Sequence, residues 1–163
     1  MILQYFYRKE NSQKKKAQQI YVNIINLSKN LLKKNNFFTN KNYNTSFELV
    51  SLFLIIYIKL NIKYRINDYV KINEDLISTF INDLDESLRT EGIGDMSIGK
   101  YVKSFVKKFY FRLEKFPNNI NNLSEKQFQD YLKLFNIIKP NLIVNSSIKF
   151  NAEFNIIHQS YIK

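Results

Sequence analysis

Only three glycines occur in the 163 residues, and all three, Gly92, Gly94 and Gly99, fall inside the segment 80–116. A chain this poor in glycine has few places to turn sharply, so this stretch reads as helix, tight turn, helix. Before it, Leu76, Ile77, Phe80, Ile81, Leu84 and Leu88 recur at helical spacing and cover one apolar arc of roughly 140°. Gly92 suits the left-handed residue after a helix end. Ile93 and Leu88 then form the apolar pair of a Schellman cap. Asp95 or Ser97 is expected to cap the following helix through a side-chain oxygen. That helix sets Ile98, Tyr101, Val102, Phe105, Val106, Phe109, Leu113 and Phe116 on one face, with Lys100, Lys103 and Lys107 opposite. Arg112 falls within the apolar arc, where a guanidinium needs a partner. Asp83 is the expected one.

Elsewhere the periodicity is also helical. Ala17 to Lys34 carries a stripe of Ile20, Ile24, Leu27 and Leu31. A polar connection around Phe37 and Phe38 follows, and Thr45 or Ser46 is expected to open a helix running to about Asn61. That helix is apolar nearly all round, as befits the buried centre of a bundle. Residues 61–73 read as a basic linker or helix extension. Ser124 and Gln127 form a capping box that opens a helix with Phe128, Tyr131, Leu132, Phe135 and Ile138 on one side, ended by Pro140. A last helix is expected over 147–161. The fold class is therefore all-α, a single compact bundle of about six helices with the Gly-rich turn between two central ones. Residues 1–16 are read as a basic N-terminal tail and 17–163 as the domain.

Charge narrows the function classes. The formal net charge is +11, which points to an anionic partner such as ribosomal RNA, a membrane surface or an acidic protein. Lys14, Lys15 and Lys16 follow a short apolar start, a pattern that can rest on an anionic membrane and equally describes a solvated terminus. Lys100, Lys103 and Lys107 form a stripe that can track phosphates and equally describes a solvated helix face. Between Glu74 and Asp95 the balance reverses, with seven acids against Arg89 alone. There is no cysteine and one histidine, His158, so neither a metal site nor any other cofactor site is expected. Asp83 and Asp85 point to different sides of their helix and make no dyad, and Gly92-x-Gly94-Asp95 lacks the spacing of a phosphate loop. No catalytic residues are assigned. Phe111, opposite the apolar arc, and Tyr110, at its edge, are candidate exposed anchors for a protein client. The longest apolar run, Leu49 to Ile58, is shorter than the roughly 18 residues that span a bilayer, and a cytoplasmic location is expected.

One run of residues carries a family resemblance. Asp83-x-Asp85-x-x-Leu88-Arg89-x-x-Gly92-x-Gly94-Asp95-x-Ser97-Ile98-Gly99-Lys100-x-Val102-Lys103, followed by Phe109-Tyr110-x-Arg112, resembles the signature of the ubiquinol–cytochrome c chaperone family. Phe111 stands where that family usually has Gly. The likeness continues upstream in Tyr21, in Ser28-Lys29, in the aromatic pair Phe37-Phe38 and in Phe47-Glu48-Leu49. The resemblance implies a non-catalytic assembly factor for respiratory complex III that engages newly synthesised cytochrome b. It implies work at the inner face of the inner membrane (the matrix side in a mitochondrion). The further partners it implies are the ribosome near its tunnel exit, a small partner subunit and peripheral membrane contact; DNA is not among them. The alternative reading is a basic ribosome- or RNA-associated helical module.

Overall fold

A computed structural model describes residues 2–162, and side chains from Ser12 onward except Asn121. Among the described residues the chain forms six α-helices: α1 (Ile2–Lys34), α2 (Tyr43–Lys63), α3 (Tyr69–Thr90), α4 (Asp95–Lys115), α5 (Glu125–Lys133) and α6 (Ile143–Ile162). Two 3-10 turns, Ile120–Asn122 and Pro140–Leu142, flank α5. The all-α bundle expected from periodicity is what forms, and no strand occurs among the described residues.

α2 is the axis of the bundle. Leu49, Leu52, Phe53, Leu54, Ile55, Ile56, Ile58 and Leu60 are all buried, and the helix touches α1, α3, α4 and α6. By length and composition alone it could cross a bilayer, but 72% of its most apolar window is buried by its neighbours. The apolar run is shorter than the helix because Glu48 and Lys59 bound it. Ser51 and Asn61 are fully buried. Asn61 donates to Asn73 of α3 at 2.7 Å and accepts from the Tyr161 hydroxyl of α6 at 2.5 Å. Buried polar groups that find one another in this way fix the relative rotation of three helices.

Boundaries differ from expectation where local chemistry decides them. α1 begins at Ile2, not Ala17, so Lys14, Lys15 and Lys16 are helical and exposed. No Gly or Pro interrupts residues 2–34, and Lys, Gln and Ala favour the helix. The apolar start with Arg8 and Lys9 lies outside the described side chains. α2 is capped by Asn42, whose side chain accepts from the Thr45 amide at 3.1 Å; Thr45 instead bonds the Asn40 carbonyl. Phe37 and Phe38 are buried rather than looped out. Thr39 N–H donates to the Ile137 carbonyl and Lys139 N–H to the Phe37 carbonyl, each at 2.9 Å, which ties this connection to the one after α5. The Ser124–Gln127 capping box forms. α5 ends at Lys133, ahead of Pro140, which instead opens a 3-10 turn. α6 starts four residues before the expected 147, at Ile143.

Candidate functional site

The Gly-rich turn is closed by the cap foreseen for it. Gly92 has φ +89°. Ile93 N–H donates to the Leu88 carbonyl at 3.1 Å and Gly92 N–H to the Arg89 carbonyl at 3.0 Å, the two bonds of a Schellman motif. Leu88 is buried, and Ile93 packs half-buried against the same core. The start of α4 departs from expectation. Gly94 is its N-cap and makes no side-chain bond, while Asp95 and Ser97 lie inside the first turn. Asp95 acts there through charge, near the positive end of the helix dipole, and through Arg89. The Arg89 guanidinium pairs with Asp85 at 2.8 Å and with Asp95, so one side chain clasps α3 to α4 across the turn.

Gly92→Ala is expected to lower stability by about 1–2 kcal/mol, the strain of a left-handed L-residue. A Cβ there would meet no atom within 4 Å, so the effect is conformational and not steric. Gly99→Ala serves as the contrast. Its φ is not left-handed and its surroundings are equally open, so that change should hold or raise stability. Denaturant midpoints of the two variants check this; equal midpoints would contradict it.

Arg112 does not meet Asp83. Counted from the turn, Arg112 lies about ten residues further along its helix than Asp83 does along its own, about 15 Å at 1.5 Å per residue. Its partner is Glu48 of α2, at 3.4 Å, with both side chains largely buried. The guanidinium also lies over the Phe135 ring at 5.2 Å and the Phe111 ring at 5.6 Å. Tyr131 OH donates to the Arg112 carbonyl at 2.9 Å, and burial pushes the Tyr131 hydroxyl pKa up, so it remains a donor. Burial likewise raises the Glu48 pKa, with Arg112 and Lys108 pulling it back down. The pair joins α2 to α4 and, through Phe135 and Tyr131, to the α5 region. The clue to it lay in Phe47-Glu48-Leu49, where an acid interrupts a buried apolar run.

Asp83 faces α1 instead, accepting from Tyr21 OH at 2.6 Å. Tyr43 OH and Ser87 Oγ share a hydrogen bond of 2.8 Å nearby. The acidic stretch is thus partly engaged within the fold: Asp85 and Asp95 by Arg89, Asp75 by Lys71 at 3.6 Å, Asp83 by Tyr21. Glu86 and Glu91 are exposed. His158 joins the body of the protein, within hydrogen-bond distance of Tyr64 OH at 2.6 Å and stacked on Phe154.

α4 carries the other residues singled out in the sequence. Lys100, Lys103 and Lys107 are exposed together with Lys108 and Lys115. Phe111 is 45% exposed among them, with Lys115 Nζ 5.8 Å from its ring, and Tyr110 is 48% exposed. Tyr101, assigned to the buried face, is as exposed as Phe111, and Met96 at the turn is fully exposed. Only Ile98 and Phe109 are buried along the whole helix. α4 touches α3 and α2 and no other helix as closely, which leaves the edge of its apolar arc, where Tyr101 sits, uncovered. The resulting face is cationic with aromatic and thioether groups among the lysines.

A groove between α1, α2 and α3 was not foreseen. It opens beside Tyr21, Tyr43 and Asp83. Its apolar residues come from three separate stretches of sequence, each of which reads alone as ordinary core.

A family model described as ubiquinol-cytochrome C chaperone matches residues 35–147, from the Phe37-Phe38 connection through the start of α6. Comparison with curated proteins and with solved structures gives no match.

Proposed function

This chain belongs to the ubiquinol–cytochrome c chaperone family, and from that premise we propose that it is a non-catalytic assembly chaperone for respiratory complex III that binds newly made cytochrome b near the ribosome and membrane. The observation that carries the reading is the family match across most of the domain, with its signature residues building the α3–turn–α4 unit. The Schellman turn and the Arg89 clasp set the angle between α3 and α4. The outer face of α4 then offers Tyr110, Phe111 and Met96 for apolar contact with a client. Lys100, Lys103 and Lys107 on the same face, with Lys14 to Lys16 on α1, hold the protein at an anionic surface. A small partner subunit, the ribosomal tunnel exit and a position at the inner face of the inner membrane belong to the same proposal.

The test is depletion of the protein in its own cell, with assembled complex III measured by b-type haem absorbance and native gel. Selective loss of complex III is expected. Wild-type protein should restore it, and the triple variant Lys100→Glu, Lys103→Glu, Lys107→Glu should restore it poorly while melting like the wild type. Normal complex III after depletion would overturn the proposal. Broad loss of translation would favour a ribosome- or RNA-associated module, the reading that the α4 lysine face also supports.

A further inference from the structure

The groove between the first three helices encloses about 490 Å³. Phe47, Phe80 and Leu84 are its buried floor, and Ile25, Leu32 and Val50 line it half-buried. Its polar groups stand on opposite sides. Asp83 and Ser87 belong to α3, whereas Asn26 and Lys29 belong to α1. Sites with an apolar interior and a few placed polar groups are where ligands and partner side chains dock.

The charge at the α3 side runs against that of the molecule. Across a chain of net charge +11, α3 carries Glu74, Asp75, Asp83, Asp85 and Glu86 against Lys71 and Arg89. Arg89 is committed to Asp85 and Asp95 at the turn, and Lys71 to Glu74 and Asp75 at the other end. Among the described residues no cation pairs with Asp83. Tyr21 engages its Oδ2, which holds the exposed carboxylate at the groove. Burial raises the pKa of the Tyr43 hydroxyl, the Ser87 hydrogen bond pulls it back down, and the nearby carboxylates of Asp83 and Glu91 raise it further.

We propose that this groove docks the apolar face of a partner-protein helix that sets a lysine or arginine against Asp83. The volume suits about two or three apolar anchors at helical spacing, and the acidic side selects a basic flank. A second copy of this chain is a poorer occupant, because two bodies of charge +11 repel. The proposal does not rest on the assembly role. Loss of complex III on depletion without peptide binding would remove the groove alone, and the reverse pair of results would remove the assembly role alone.

The experiment uses the purified full chain and two fluorescein-labelled helical peptides with the same leucine stripe, one flanked by lysines and the other by glutamates. Fluorescence anisotropy gives the two affinities. Net charge alone makes the glutamate peptide the tighter ligand, whereas the groove makes the lysine peptide tighter, by about tenfold or more. Asp83→Asn keeps an acceptor for Tyr21 and should abolish most of that preference. Val50→Gln should weaken the lysine peptide without changing the thermal midpoint by more than a few degrees. Four results would overturn the proposal: no binding of the lysine peptide; tighter binding of the glutamate peptide; wild-type affinity in both variants with folding intact; or concentration-dependent dimers that Val50→Gln disperses, which would assign the groove to a second copy.

Discussion

Glu48→Ala is expected to lower the unfolding free energy by about 3–5 kcal/mol, because it strands a buried guanidinium that cannot shed its charge. Arg112→Met should do less damage at neutral pH, and the damage should shrink in acid. The asymmetry comes from Glu48 itself. Burial already raises its pKa, and Arg112 is the first influence pulling it down. Without Arg112 the pKa rises further, and the carboxyl can neutralise itself by taking a proton. The sign follows from linkage. A raised folded-state pKa gives stability that is fully present below the unfolded pKa and is lost as pH rises through the folded pKa. The Arg112→Met variant should therefore gain on the wild type as pH falls from 7 toward the ordinary glutamate range. The pair is imperfect as it stands: the contact is 3.4 Å, and Glu48 Oε2 and Arg112 Nε are buried without a hydrogen-bond partner. The double variant Glu48→Leu, Arg112→Met should accordingly recover most of the loss, as apolar replacements of buried ion pairs often do. Urea midpoints at pH 5 and pH 7 measure all of this. A Glu48→Ala midpoint near wild type would show that the pair is solvated in solution.

This pair also marks where sequence reasoning reached its limit. Periodicity finds the helices because burial in a bundle imposes it on every helix separately, and the cap at Gly92 is legible because it is a local matter of φ and of two neighbouring apolar residues. Arg112 was legible as a residue that needs a partner. Which partner it finds depends on α2 passing beside α4, and no local pattern states that. Asp83 illustrates the same gap from the other side: its bond to Tyr21 spans 62 residues. Caps failed where several side chains in a row could serve, as at Asn42 against Thr45 and Ser46. The exposure of Phe111 followed from its angle on α4. The groove had no counterpart in the sequence, because its lining is assembled from three helices, and a half-buried Val50 or Leu32 looks like core until the neighbouring helix is in place.

Phe109→Ala should cost about 3–5 kcal/mol, the range for removing a large buried aromatic ring, and the loss should not be spread evenly. Phe109 is 1% exposed and packs its ring 5.1 Å from that of Phe80 on α3. With Ile98 it makes up the whole buried complement of α4. The remaining residues of the apolar arc, Val102, Phe105, Val106 and Leu113, are only half-buried. α4 is thus held by two buried apolar points along its length and by the Arg112–Glu48 pair, with Phe116 fixing the chain just beyond its end. Deleting one of these points should let α4 open locally before the bundle unfolds. Hydrogen exchange is the discriminating measurement: α4 amides should lose protection well before those of α2, whose burial does not depend on Phe109. Uniform loss across the bundle would mean that α4 is an integral part of one cooperative unit. The distinction bears on function because Lys100, Lys103, Lys107, Tyr110 and Phe111 all ride on this helix. The triple lysine reversal changes the charge of that face and leaves its anchoring intact, whereas Phe109→Ala keeps the charge and loosens the anchor. If both variants lose complex III in the cell, the face works as a rigid, shaped surface. If only the charge reversal does, attraction to an anionic surface is what α4 supplies.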